Sequence, residues 1–129
     1  MTPESKTFLI VDDEPNVLKS LQRLLRGPGR RILLADSAAE ALLILGGEQV
    51  DAVISDELMP GMNGRQLLER ARDLAPACRR ILLTGHPDAA VVRDALGRRL
   101  AHVVVLKPWI DEELRDKLEA ALEGPAAPL

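Results

Sequence analysis

The chain is nearly without aromatic residues: one Phe, one Trp and no Tyr in 129 residues. That excludes a platform of rings on which single-stranded nucleic acid could stack, and leaves Leu, Val, Ile and Ala to fill the core. The single cysteine, Cys78, excludes an intramolecular disulfide and fits a reducing compartment. An excess of one charge is also missing. Seventeen basic against twenty acidic residues leave a net −3, which neither recruits nucleic acid nor points to an anionic membrane surface. No apolar run approaches the roughly 20 residues of a membrane span, and "MTPESKTF" lacks the apolar core of a signal peptide. The expectation is a soluble, cytoplasmic protein with no membrane contact and no direct binding of nucleic acid. Its length suits one domain that buries roughly two thirds of its unfolded surface.

What is present is a rhythm. Short apolar runs at 7–11, 31–35, 51–55, 80–83 and 102–106 are nearly continuous, as expected of parallel strands covered on both faces. Amphipathic segments lie between them. Val17, Leu18, Leu21, Leu24 and Leu25 share one helical face, ended by "GPG" at 27–29. Ser37 is placed to cap a second helix carrying Ala41, Leu42 and Leu45 and stopped by Gly46-Gly47. Leu67, Leu68, Ala71 and Leu74 mark a third helix, before Pro76. Asp88 is placed to cap a fourth running through Leu96, and Asp111 a fifth with Leu114, Leu118 and Leu122 inward. Five βα units predict an α/β fold: a five-stranded parallel sheet in a doubly wound (βα)5 three-layer sandwich of flavodoxin-like topology. A barrel would need about eight such units. The tail "EGPAAPL" reads as the start of a linker.

The strands end in residues that a buried strand does not need. "FLIV" runs into Asp12 and Asp13, "DAVIS" into Asp56, "RILL" into Thr84 and "HVVVL" into Lys107. In an open parallel sheet, ligands bind outside the carboxyl ends of the strands. Asp12 and Asp13, followed by Glu14, make three acids in succession, more than a helix start requires. Two carboxylates 4 Å apart repel by roughly 4 kcal/mol at an effective dielectric near 20, a cost that a divalent cation removes. Oxygen-only ligands select Mg²⁺, with Mn²⁺ as the alternative, over zinc. With the first and third strands adjacent, Asp56 joins the pair and becomes a candidate carboxylate nucleophile. A Thr84 hydroxyl at a strand mouth can donate to an oxyanion, and a Lys107 ammonium there can neutralise carboxylate or phosphoryl oxygens. Pro108, next in the chain, allows a cis peptide. Metal, carboxylate, hydroxyl and ammonium together suit phosphoryl transfer to an aspartate.

On these residues the chain resembles the receiver domain of two-component response regulators. The likeness covers residues 6–123 and rests on "VDDE", "DELMPGMNG", "LLTG" and "LKPW", in that order and spacing. It implies a receiver domain over 1–123, with 124–129 as a tail or the start of a linker to an output domain. It implies Asp56 as the phosphoacceptor, and Asp13 (directly) and Asp12 (through water) as Mg²⁺ ligands beside Asp56 and the backbone carbonyl of Leu58. Thr84 is implied as the switch hydroxyl and Lys107 as the partner of the phosphoryl group. The implied partners are a sensor histidine kinase or phosphotransfer protein, and an output domain in cis or a separate protein. A homodimer is left open. Such a domain is no enzyme, beyond assisting its own phosphorylation and dephosphorylation. "LLTGHPD" with "LKPWIDEEL" looks most like receivers fused to cyclic-dinucleotide phosphodiesterase or histidine-kinase-type output modules. One position departs from the pattern. Three residues before the lysine, where the family carries Tyr or Phe, this chain has Val104, which has no ring to bury when Thr84 moves. Leu58 and His86 stand where the family tunes dephosphorylation.

Three other classes fit the sequence less well. A nucleotide- or flavin-binding protein of this topology needs a Gly- or Ser/Thr-rich loop after the first strand, where this chain has "DDEPN". A phosphohydrolase with an Asp nucleophile needs a second acid near it; Glu57 is adjacent in sequence, but neighbours at a strand end point apart. A degenerate receiver, binding partners without phosphorylation, fits poorly with an intact Asp12, Asp13, Asp56, Thr84 and Lys107.

Overall fold

A computed structural model describes residues 6–85 and 89–123. His86, Asp88 and the tail at 124–129, named above, lie outside the described residues. Five strands, β1 (Lys6–Val11), β2 (Arg30–Ala35), β3 (Ala52–Asp56), β4 (Arg79–Thr84) and β5 (Val103–Leu106), form one parallel sheet in the order β2-β1-β3-β4-β5. Between and after them run α1 (Pro15–Leu25), α2 (Ala38–Gly47), α3 (Gly64–Leu74), α4 (Ala89–Gly97) and α5 (Asp111–Glu123). The fold is the doubly wound α/β sandwich expected from the rhythm.

Alternation along each strand divides the core into two layers. Phe8, Ile10, Ile54, Ile81, Leu83 and Val105 pack with Leu18 and Leu21 of α1 and with Leu114 and Leu118 of α5. Leu9, Val11, Val53 and Leu82 pack with Ala41 and Leu45 of α2, Leu67 and Leu68 of α3 and Ala95 of α4. Burying a Leu or Ile side chain contributes about 1.5–3 kcal/mol, so either layer would hold its helices to the sheet. The strands read as continuous apolar runs because both faces are covered.

The helix ends follow local chemistry with some corrections. Ser37 caps α2 as expected, its Oγ accepting the Glu40 N–H at 3.1 Å. The helix nevertheless continues through Gly47 to a cap at Glu48, and α1 ends at Leu25, ahead of the "GPG" segment. Asp111 does not cap α5 from outside. It is the first helical residue, and its carboxylate accepts the Trp109 indole N–H at 3.1 Å. Leu74 and Leu96, in phase with the buried faces of α3 and α4, are about half exposed, because each sits at a helix end beyond its layer. Asn63 and Gln66 close a reciprocal capping box at the start of α3.

Candidate functional site

Register carries the chemistry to one place. Val11 pairs with Ser55, so the next residues, Asp12 and Asp56, stand side by side at the carboxyl ends of β1 and β3. Asp56 in turn pairs with Leu83, which puts Thr84 one step further along β4. Thr84 pairs with Leu106, and its carbonyl accepts the Lys107 N–H at 2.8 Å. Lys107 reaches back across two strands, its Nζ 2.6 Å from Asp56 Oδ1 and 3.9 Å from Asp12 Oδ2. The Lys107–Pro108 peptide is cis. Four strands thus supply one mouth.

Within it, one carboxylate oxygen each from Asp12, Asp13 and Asp56 lie within 4.8 Å of one another. Asp12 and Asp56 are buried, Asp13 exposed. Asp12 spends Oδ1 on the Glu14 N–H at 2.9 Å, which anchors the start of α1 in place of a capping side chain. Its Oδ2 is buried and takes no hydrogen bond from the described residues. Burial pushes the Asp12 carboxyl up to about 6; the Glu14 N–H pulls against it, and the Asp56 charge adds to it. Buried carboxylate oxygens are ordinarily paired. An orphaned one beside two further carboxylates, with Lys107 already engaged on Asp56, fits a hard divalent cation held by oxygen.

Asp12, Asp13, Asp56, Thr84 and Lys107 are therefore brought together. Leu58, expected to offer its backbone carbonyl, lies two residues past Asp56 with its side chain exposed. Val104 pairs with Leu82 and packs, half-buried, against the layer that includes Ala95 of α4. His102, just ahead of β5, accepts the Arg80 N–H on Nδ1 at 3.0 Å, so that nitrogen is unprotonated. Burial, then the Arg80 and Arg79 charges, lower its pKa to about 4.

Gly64, Arg65 and Asp94, which support the segment carrying Asp56, carry no mark in the sequence as site residues. A Cβ on Gly64 would lie 2.3 Å from the Asp56 carbonyl oxygen and 2.9 Å from the Glu57 Cα, so the start of α3 rests directly on the segment carrying Asp56. The "NGRQ" capping pattern was the available signal for that helix start. Glu57 points away from Asp56, as strand geometry requires. It is buried against Arg65, whose backbone N–H and Nε donate to its two oxygens at 3.2 and 2.9 Å. Arg65 also reaches Asp94 of α4 at 2.7 Å.

A doubly wound sheet whose strand mouths gather carboxylates, a buried hydroxyl residue and an amine presents a charged site at the carboxyl ends of its strands. The chain belongs to the response regulator receiver domain family, whose model matches residues 8–119. It is 35% identical over 129 residues to the transcriptional regulatory protein GlrR of Escherichia coli K12, covering 98% of this chain and 28% of that protein. It is 31% identical over 124 residues to the hydrogenase transcriptional regulatory protein HoxA of Cupriavidus necator, covering 96% and 26%. The chain thus spans about a quarter of the length of these curated relatives. Among solved structures it resembles the signal receiver domain of an HD domain-containing protein from Pseudomonas fluorescens Pf-5, at a TM-score of 0.86 and 37% identity, covering 92% of this chain and 95% of that one. It also resembles the response regulator protein TrrA of Thermotoga maritima, solved with Mg²⁺-BeF, at 0.79 and 32%, covering 90% and 98%. As a receiver, the chain is a phosphoacceptor-type signalling domain, and its acidic cluster is of the kind with which such domains bind Mg²⁺. No described helix is long and apolar enough to cross a membrane.

Proposed function

We propose that Asp56 is the phosphoacceptor of a cytoplasmic receiver, taking a phosphoryl group from a phosphohistidine on a sensor kinase or phosphotransfer protein. The observation that carries this reading is the convergence of three carboxylates and Lys107 at one strand mouth, with Lys107 Nζ 2.6 Å from Asp56 Oδ1. An Asp56 oxygen attacks phosphorus as the bond to the imidazole nitrogen breaks, leaving an acyl phosphate and free histidine. Asp12, Asp13, Asp56 and the Leu58 carbonyl would hold Mg²⁺, which when bound spreads the charge of the transferring group. Lys107, already seated on Asp56, follows the transferred charge as a donor to the phosphoryl oxygens. Thr84, buried at the adjacent strand end, supplies a hydroxyl to another of them.

The only catalysis in this reading is assistance to the domain's own phosphorylation and hydrolysis. Leu58 offers no polar side chain to orient an attacking water. Signalling is a population shift: phosphorylation stabilises one conformation over the other by a few kcal/mol. Residues 1–123 constitute the receiver, with 124–129 leading toward an output domain in cis, such as those implied by the length of the curated relatives and by the HD domain-containing neighbour. Incubation with Mg²⁺ and acetyl phosphate, followed by intact mass, tests the proposal. One added phosphoryl group, lost in Asp56→Asn and on chelating Mg²⁺, is expected; no adduct at any Mg²⁺ concentration would overturn it.

A further inference from the structure

Helix α4 is held in an unusual way. Of its side chains at 90–97, Ala95 alone is buried and Val91 packs half-buried against the same layer, so the apolar packing that fixes α4 on the sheet is small. Its ties to α3 are ionic instead. Arg65 Nη1 lies 2.7 Å from Asp94 Oδ2, and Arg98, just past the end of α4, lies 3.3 Å from Asp94 and 3.2 Å from Glu69. Arg72 donates to the Arg98 carbonyl at 2.9 Å. Burial raises the Asp94 carboxyl, but the Arg65 and Arg98 hydrogen bonds outweigh it and hold Asp94 below the ordinary range.

One of these ties leads to the site. Arg65 grips Glu57 through two donors and Asp94 through a third. Glu57 is bonded to Asp56, its side chain is buried, its N–H donates to the Leu83 carbonyl at 2.9 Å and its carbonyl accepts the Gly64 N–H at 2.9 Å. A displacement of the Asp56–Glu57 segment therefore cannot be absorbed by a loose side chain. It re-aims a planar guanidinium whose other prong holds α4. A planar fork transmits orientation as well as charge, which a lysine would not.

We propose that Arg65 is a positioning residue that couples phosphorylation of Asp56 to the placement of α4 through Glu57 and Asp94, doing by ion pairing what the missing ring at Val104 cannot. The inference rests on the reading of Asp56 as phosphoacceptor. Because α4 is otherwise lightly packed, a change worth one ion pair is enough to alter its fluctuations.

The test is hydrogen exchange across 89–97 in the full chain, before and after treatment with Mg²⁺ and acetyl phosphate. Intact mass of the same samples reports the adduct. Wild type, Arg65→Gln, Asp94→Asn, the double variant and Arg65→Lys are compared. Adduct yield is expected to be equal in all. Without phosphodonor, α4 in either single variant exchanges about two- to fivefold faster, the range of a partly exposed ion pair. Phosphorylation alters α4 exchange in wild type, the response falls below about half in each single variant, and the double variant loses no more than the singles, as expected for one coupled unit. Arg65→Lys restores the charge but only part of the response. If the adduct forms while wild-type α4 does not respond, or if both single variants keep the full response, or if their losses simply add, the coupling is overturned. Absence of any adduct in wild type overturns the phosphoacceptor reading instead, and the coupling with it.

Discussion

The two ends of the β4 neighbourhood bury charge in opposite ways. At the amino end, Arg79 and Arg80 are buried, yet both are satisfied. Arg79 Nε donates to the Ala121 carbonyl in the last turn of α5 at 2.7 Å. Arg80 donates to the Leu100 and Arg99 carbonyls, just beyond the end of α4, at 2.8 and 3.1 Å, and to the Cys78 carbonyl, just ahead of β4, at 3.5 Å. Cations facing helix C-terminal carbonyls are in favourable surroundings. At the carboxyl end, three carboxylates meet one lysine, and Asp12 Oδ2 is left without a hydrogen bond among the described residues. Burial of charge is common to both ends. Satisfaction separates them: the satisfied end holds the structure together, while the unsatisfied end is built to receive something.

That contrast can be broken by mutation. The largest effect belongs to Arg80→Ala, which strands two or three buried carbonyls and opens a cavity. It should destabilise by about 3–5 kcal/mol in urea unfolding, with no dependence on Mg²⁺. At the other end the sign reverses. Without divalent cation, Asp12→Asn removes a buried charge from beside two like charges and should stabilise by about 1–2 kcal/mol. The same substitution abolishes the Mg²⁺-induced rise in unfolding free energy, which in wild type should reach about 2.7 kcal/mol at a hundredfold excess over Kd. If Asp12→Asn destabilises as Arg80→Ala does, the mouth is a structural ion cluster and the comparison fails.

A smaller effect comes from His102, which sits between the two arginines and the β5 strand. Its folded pKa, near 4, lies below the ordinary 6.5. The unfolded chain therefore takes up the proton first as pH falls. Its contribution is fully present above pH 6.5 and declines from there toward pH 4, by at most about 1.4 kcal/mol per pH unit; water at a half-buried ring reduces this. His102→Gln, keeping an acceptor for the Arg80 N–H, should flatten that part of the stability–pH curve. An unchanged slope would assign the acid sensitivity to other groups. The smallest expected effect is Arg93→Ala: this α4 side chain is exposed, and its loss should change stability by under about 0.5 kcal/mol.

Much of this was legible in the sequence, for identifiable reasons. Parallel strands covered on both faces are continuous apolar runs, so their ends are visible, and the residues that terminate them are the site residues. Asp56 and Thr84 prove to be the last residues of β3 and β4 themselves, not loop residues beyond them. The ionic ties were not legible. Glu57, Arg65 and Asp94 are 8 and 29 residues apart, and no local period joins them. Arg79 and Arg80 read as charges flanking a strand, since only the packing of α4 and α5 makes them buried. Leu74 and Leu96 kept the helical period but lay past the edge of their layers.

A receiver of the proposed kind must take up the phosphoryl group on the buried carboxylate at the end of β3. Borohydride reduction after treatment with Mg²⁺ and acetyl phosphate, followed by peptide mapping, tests this directly, because an acyl phosphate of aspartate is reduced to homoserine. Homoserine at position 56, and at neither 12 nor 13, is the predicted result. Homoserine at 12 or 13, or none at 56 despite a phosphoryl adduct by mass, would contradict it.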